Sequence, residues 1–276
     1  MTTNDYNEVD ILYTLMTYVN VSSTQDMYYS IAQKILTNLD LIPSISINDL
    51  ANLCFTSPAT ISRFCKDLNC RNFAAFKKEM KLALEIARDE IHIPSQEKQQ
   101  LIEQPEKLVD KIYMDTINSL MQGIRNIQIA DVDRICELIH YAKSIHMFGY
   151  QFSRIVANDF QLKMLKLKKF AYVFVNRGDE IQKLETIEKD ELVIVLSVSA
   201  GALINSLIAK LKEYGPRILL ITMNQNYKND QVDYIYKLSG FESNYTQSAM
   251  MGSTNLNTFL NLVYVRYGLL YDNKED

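Results

Sequence analysis

The chain has 276 residues, 47% of them hydrophobic, with only 8 Gly and 5 Pro. That length allows one large domain or two ordinary ones, and the composition excludes a disordered or fibrous chain. A net charge of −4 and a pI near 5.5 exclude a polycation, so any contact with nucleic acid must come from a local basic patch.

The opening MTTNDYNEVD has neither a basic n-region nor an apolar h-region. No apolar run approaches the ~20 residues a membrane span needs. The expectation is a cytoplasmic protein with no membrane partner. Cys54, Cys65, Cys70 and Cys136 lack C-x-x-C spacing, and only three histidines accompany them. They read as small buried thiols, and neither a metal site nor a cofactor is expected.

Residues 5–42 read as helices. Val9, Leu12, Leu15, Met16 and Val19 crowd one pattern, and Ile31, Ile35, Leu36 and Leu39 form the next. Their expected role is to back the stretch Ser44–Lys81. There Ile47, Leu50, Ala51 and Leu53 make a short helical pattern, with Asn48 and Asp49 expected to supply cap and first-turn acidity. After the turn Phe55-Thr56-Ser57-Pro58, with Ser57 as N-cap and Pro58 at the first helical position, a second pattern runs to Leu68. Ile61, Phe64, Cys65 and Leu68 share one face. Thr60, Ser62, Arg63 and Lys66 fall outside it. Two short helices about a tight turn, the second with a small, polar and basic outer face, make a helix-turn-helix suited to a major groove. Arg63, Lys66, Arg71, Lys77, Lys78 and Lys81 stand against only Asp67 and Glu79 between Ser57 and Leu82, which supplies the basic patch. The expected DNA-contacting set is Ser57, Pro58, Ala59, Thr60, Ser62, Arg63, Lys66, Arg71, Lys77 and Lys78.

Residues 89–107 are charged and Gln-rich with Pro94 and Pro105, and read as a linker of mixed helix and coil. The expected division is therefore an all-α reader over 1–88, a linker over 89–107 and a second domain over 108–276. In that last part strands at Ser144–Phe148, Phe170–Val175, Leu192–Val198, Arg217–Met223 and Tyr234–Leu238 alternate with helices, the last at Thr254–Leu270. Continuous apolar strands between helices imply an α/β domain with a parallel sheet covered on both faces.

Ligands of such sheets bind beyond the carboxyl ends of the strands. One such end is Gly149-Tyr150-Gln151-Phe152-Ser153. The other is Ser197-Val198-Ser199-Ala200-Gly201, ahead of a helix starting at Ala202. Glycine, hydroxyls and helix N-termini together favour an anion, most simply a phosphate. Neither turn is a Walker A loop or a dinucleotide fingerprint. Glu242, past the last strand, is the acidic candidate at the same mouth.

The second turn, with VIVLSVSAG and the later RILLIT, resembles the SIS (sugar isomerase) domain, whose pattern is a strand followed by Ser-x-Ser-Gly-x-Thr. Ser197 and Ser199 match, while Ala200 and Ala202 stand where Gly and Thr are usual. The core SPATISRFCKDL resembles the helix-turn-helix of RpiR-type bacterial regulators, which join such a reader to an SIS domain in this order. The resemblance implies a dimeric or tetrameric regulator of carbohydrate genes that binds double-stranded operator DNA and is tuned by a phosphosugar. Gly149, Tyr150, Gln151, Ser153, Ser197, Ser199, Ala200, Gly201, Ala202 and Glu242 would be the ligand set. Aldose–ketose isomerisation would need a base at the substrate, and no catalytic residue stands out among His92, His140 and His146. Two other readings stay open: a phosphosugar isomerase with a helical appendage, and a regulator whose SIS domain has lost its ligand.

Overall fold

The computed structural model describes residues 11–90, 95–150, 152–174, 184–240 and 245–272, and the chain forms two units, the first ending at Arg88 but also taking in Leu184 and Glu185, the second holding the rest. The first holds α1 (Ile11–Val21), α2 (Met27–Leu36), α3 (Ile47–Leu53), α4 (Pro58–Asp67) and most of α5 (Phe73–Glu90). No helix of ten residues is stable alone in water, so each contributes one apolar face to a shared core. Ile11 and Leu15 of α1, Ile31 and Ile35 of α2, Leu50 of α3, Ile61 and Phe64 of α4, and Phe76 and Met80 of α5 are all sealed inside it. Tyr28 and Tyr18 meet the Phe64 ring edge-on at 5.1 and 5.7 Å, an arrangement that adds ~0.5–1.5 kcal/mol per pair beyond area burial.

In the second unit α6 (Ser95–Glu103), α7 (Pro105–Asn126) and α8 (Ile129–Tyr141) precede a five-stranded parallel sheet. Its strands are β1 (Ile145–Gly149), β2 (Tyr172–Val173), β3 (Leu192–Ser197), β4 (Arg217–Thr222) and β5 (Tyr234–Lys237), in the order β2-β1-β3-β4-β5. Between them run α9 (Phe152–Lys166) and α10 (Ala202–Tyr214), and α11 (Tyr245–Tyr271) closes the unit. Every residue of β1 and β3 is buried, as a parallel sheet covered on both faces requires. The expected fold class stands.

Three local readings shift. The 89–107 stretch is mostly helical, because α5 runs on to Glu90 and α6 fills Ser95–Glu103, with Gln99 donating to Glu103 one turn on. Pro105 opens α7 as its first residue, where a missing N–H costs nothing. The closing helix begins at Tyr245 rather than Thr254. The added turns carry Gln247, Ala249, Met250 and Met251, residue types of good helix propensity, and Met251 is buried although it falls outside the apolar run read from the sequence.

Candidate nucleic-acid interface and ligand site

The reader is built by caps. Ser46, not Asn48, is the N-cap of α3: its Oγ accepts from the Asp49 N–H at 3.1 Å and donates to the Asp49 carboxylate at 2.6 Å. Asn48 lies inside the first turn and is exposed. The helix ends in a Schellman pair, Phe55 N–H to Asn52 carbonyl and Thr56 N–H to Ala51 carbonyl, which puts Phe55 at φ 51°. Ser57 then caps α4 by accepting from the Thr60 N–H at 3.2 Å, and Pro58 takes the first helical position.

Ile61, Phe64 and Cys65 hold α4 to the core, leaving Pro58, Ala59, Arg63 and Lys66 exposed and Thr60 and Ser62 half-buried on the outer side. Arg63 and Thr60 line an open cleft of about 370 Å³ with Asp26, Met27 and Tyr28. Arg71 and Lys78 are exposed. Lys77 is turned inward: its Nζ donates to the Ile45 carbonyl at 2.9 Å and lies 5.7 Å from the Phe73 ring centre. It braces α5 against the segment entering α3. At the far end of α4, Tyr18 donates its hydroxyl to Asp67, and burial together with that carboxylate pushes the phenol well above its ordinary range. This brace carries no sequence signature, since its partners lie far apart in the chain.

In the second unit β1 and β3 pair directly, with Gly149 opposite Leu196, so the two candidate turns lie side by side at the carboxyl edge. This is also where the strand order reverses, the place where open α/β sheets leave a crevice. A Cβ at Gly149 would sit 2.7 Å from the Ser153 carbonyl carbon, so glycine is what lets α9 start against the strand. Ser153 is buried, Tyr150 half-buried, and Arg154, itself buried, donates its Nε to the Gly149 carbonyl at 3.1 Å.

Beyond β3, Ser197 Oγ accepts from the Ala200 N–H at 3.0 Å, and Ala200 is buried at φ 47°, a left-handed conformation that glycine adopts without strain. Ser199 and Gly201 are exposed, and Gly201 gives α10 no side-chain cap. The loop is held from the end of β4 and the turn after it, where Thr222 Oγ1 donates to the Val198 carbonyl and Asn224 Nδ2 to the Ser199 carbonyl at 2.9 Å. Ala202 opens α10. Gln151 and Glu242 lie outside the described residues.

Residues 23–89 match the helix-turn-helix domain of the rpiR family, and residues 138–240 match the SIS domain. The chain belongs to the RpiR-type regulators. Relatives of this RpiR-type chain include an uncharacterised helix-turn-helix regulator of Clostridium perfringens, 27% identical over 82% of this chain and 78% of the relative. Escherichia coli RpiR is 22% identical over 67% and 61%. Among solved structures, Vibrio vulnificus NanR complexed with ManNAc-6P covers 95% of this chain and 92% of its own at TM-score 0.53 and 17% identity. The sugar isomerase domain of an RpiR factor from Sphaerobacter thermophilus covers 60% and 92% at TM-score 0.52 and 18% identity. At these identities the structures establish the shared fold.

Arg154, Thr222 and Asn224 hold the backbone of these two turns and were not singled out from the sequence. Thr222 ends the RILLIT strand at the carboxyl edge, and that position was its available signal. His140 and His146 fall away from this edge, and His92 lies outside the described residues. His146 Nε2 lies 3.1 Å from Glu191, which precedes β3, and His140 stacks on Tyr271.

Proposed function

We propose that the chain binds operator DNA of carbohydrate-metabolism genes through α4, and that a phosphosugar at the β1 and β3 turns modulates that binding. The observation that carries this reading is the adjacency of the two anion-suited turns at the strand-order reversal of a chain that also bears a reader. In this reading residues 1–88 read DNA, 89–107 link, and 108–276 sense. Ser57, Pro58, Ala59, Thr60, Ser62, Arg63, Lys66, Arg71 and Lys78 approach the groove or its phosphates, while Lys77 acts by bracing α5.

On the sensing side the phosphate lies against the Ser197–Gly201 loop and the first amides of α10, with Ser153, Tyr150 and Gly149 on the neighbouring turn. NanR, complexed with ManNAc-6P, supports this assignment by fold. The chain acts as a switch rather than an isomerase, since the histidines His140 and His146 are engaged away from that edge. Effector binding to one arrangement of a paired assembly would shift its population, and the readers would follow. Fluorescence anisotropy with DNA from upstream of the chain's own gene, titrated with hexose and N-acetylhexosamine phosphates, tests the reading. A salt-sensitive, sequence-selective Kd that moves at least ~5-fold with one phosphosugar is the expected result. Selective binding untouched by the whole panel points to a regulator without its effector, and turnover of a sugar phosphate to the isomerase.

A further inference from the structure

The reader sets an acid in the same cleft as Arg63, where attraction to phosphates alone would favour none. Asp26, the residue ahead of α2, is exposed and lines the opening of about 370 Å³ with Met27, Tyr28, Thr60 and Arg63. Its place is fixed from both helices. Tyr28 meets the Phe64 ring at 5.1 Å, and Phe64 follows Arg63 in α4. Met27 Sδ lies 3.7 Å from the Thr56 hydroxyl, in the turn that leads into α4. Asp26 itself caps α2, its Oδ1 accepting from the Tyr28 N–H at 2.7 Å. The carboxylate and the Arg63 guanidinium thus border one cleft, each from its own helix. The acid of α4, Asp67, is taken up instead by the Tyr18 hydroxyl.

Capping does not require this charge, since Asn and Ser cap a helix about as well as Asp. In a groove the carboxylate offers something further, an acceptor with no donor attached. A G·C pair presents two acceptors on guanine, N7 and O6, and one donor on cytosine, the N4 amino group. A donor fork beside an acceptor is the complement of that pair taken whole. Turning the pair round would set guanine O6 against the carboxylate, and a thymine in the cytosine's place would set O4 there. Both oppose acceptor to acceptor, so the cleft distinguishes the orientation of the pair as well as its composition.

We propose that Asp26 is a specificity-determining residue of the reader, accepting from the N4 amino group of a cytosine whose guanine is held by Arg63. The two side chains then read one G·C pair in one orientation, the carboxylate from outside the recognition helix. This rests on the DNA reading above and adds to it the base pair that the cleft receives.

The test uses the full chain and duplex DNA. Parent and Asp26→Ser chains each select from a pool of randomised duplexes, and anisotropy then gives Kd on the selected site and on pool DNA. Serine keeps the cap, so the melting temperature should hold. Binding to pool DNA should tighten, because a charge opposing the phosphates is gone, while the ratio of selected to pool affinity should fall at least ~10-fold. The G·C preference should relax at one position, and Asp26→Asn should admit adenine in the cytosine's place. Replacing that cytosine with 2-pyrimidinone, which lacks the amino group, should weaken the parent ~10-fold and leave Asp26→Ser unmoved. Equal changes on selected and pool DNA overturn the base contact and leave Asp26 a cap with a repulsive charge. Unchanged selectivity in Asp26→Ser overturns it too, as does a pyrimidinone penalty that the variant retains. A parent chain that selects no sequence overturns the DNA reading itself, and this contact with it.

Discussion

Two helix starts in this molecule invite comparison, that of α4 in the reader and that of α10 after the Ser197–Gly201 loop. At α4 the Ser57 hydroxyl accepts from the Thr60 N–H, and Pro58 removes one donor altogether. At α10 the equivalent position is Gly201, which has no side chain to cap with, and the nearest buried hydroxyl, Ser197, is engaged by the Ala200 amide. The first start is complete as it stands, so a partner meets only its outward side chains. The second leaves amides whose partial positive charge an anion would complete. On the proposed function, DNA and phosphosugar are therefore recognised by different means, side chains in one unit and backbone in the other.

The sharpest way to break the contrast is to collapse one unit and ask whether the other survives. Phe64 is fully buried and meets both Tyr18 and Tyr28. Phe64→Ala should cost ~3–5 kcal/mol, more than a core this small can lose. Calorimetry should show the low-temperature transition lost while a second, assigned to the sheet, keeps its midpoint. A single transition that drops as a whole would show the two units to be one cooperative block.

Less drastic is removal of side chains from the reader's outer face. Arg63→Ala should weaken operator binding by ~1–3 kcal/mol and relax preference at one base position. Lys66→Ala should weaken all sequences alike and flatten the salt dependence by about one ion. Anisotropy at several salt concentrations separates them. Neither exposed substitution should move the melting temperature.

How much of this was legible in the sequence follows the same division. The reader could be seen residue by residue because its signals are local: Ser57-Pro58, the Ile61–Leu68 face and the basic run lie within one short stretch. The sheet order was not legible, since pairing β1 with β3 joins residues 47 positions apart and no spacing rule encodes it. Ser46 was passed over as a cap because Asn48 and Asp49 are equally good capping types, and only backbone geometry separates them. Lys77 looked like its neighbour Lys78 for a similar reason. Composition gives charge, whereas the Ile45 carbonyl that Lys77 meets is defined only by the fold.

Among the described residues other than glycine, Phe55 and Asn69 in the first unit and Lys168 and Ala200 in the second adopt a left-handed conformation, and Phe55 and Ala200 make an instructive pair. Phe55 sits at φ 51° and Ala200 at φ 47°. For L-residues that region costs ~1–2 kcal/mol, most of it absent for glycine. Phe55 is 90% exposed, so Phe55→Gly should stabilise the first transition by up to ~1 kcal/mol with no packing to lose. Ala200 is buried, and Ala200→Gly gives up one methyl contact, so its gain in the second transition should be smaller. Thermal melts of the two variants rank them. If Ala200→Gly also tightens phosphosugar binding, the alanine was straining the loop; unchanged affinity would show that the loop is already in its binding shape.

The smallest expected effect concerns acid. Arg266 grips Asp133 through two hydrogen bonds, Nε to Oδ1 at 2.6 Å and a terminal guanidinium nitrogen to Oδ2 at 3.1 Å, tying α8 to α11. The guanidinium holds the Asp133 carboxyl below its ordinary range in the folded chain. A carboxyl whose folded pKa is depressed stabilises the fold above its unfolded value, and that contribution is lost as pH falls through the folded one. The second transition should therefore lose stability as pH drops below ~4, and part of that slope should vanish in Asp133→Asn, which carries no titrating proton. The pair is a third exposed, so salt screens it and the slope should flatten at high ionic strength. The first unit lacks this pair, and its transition in Asp133→Asn should follow the parent chain across the same range. An Asp133→Asn effect on both transitions would show that acid acts on the whole chain rather than on the α8–α11 contact.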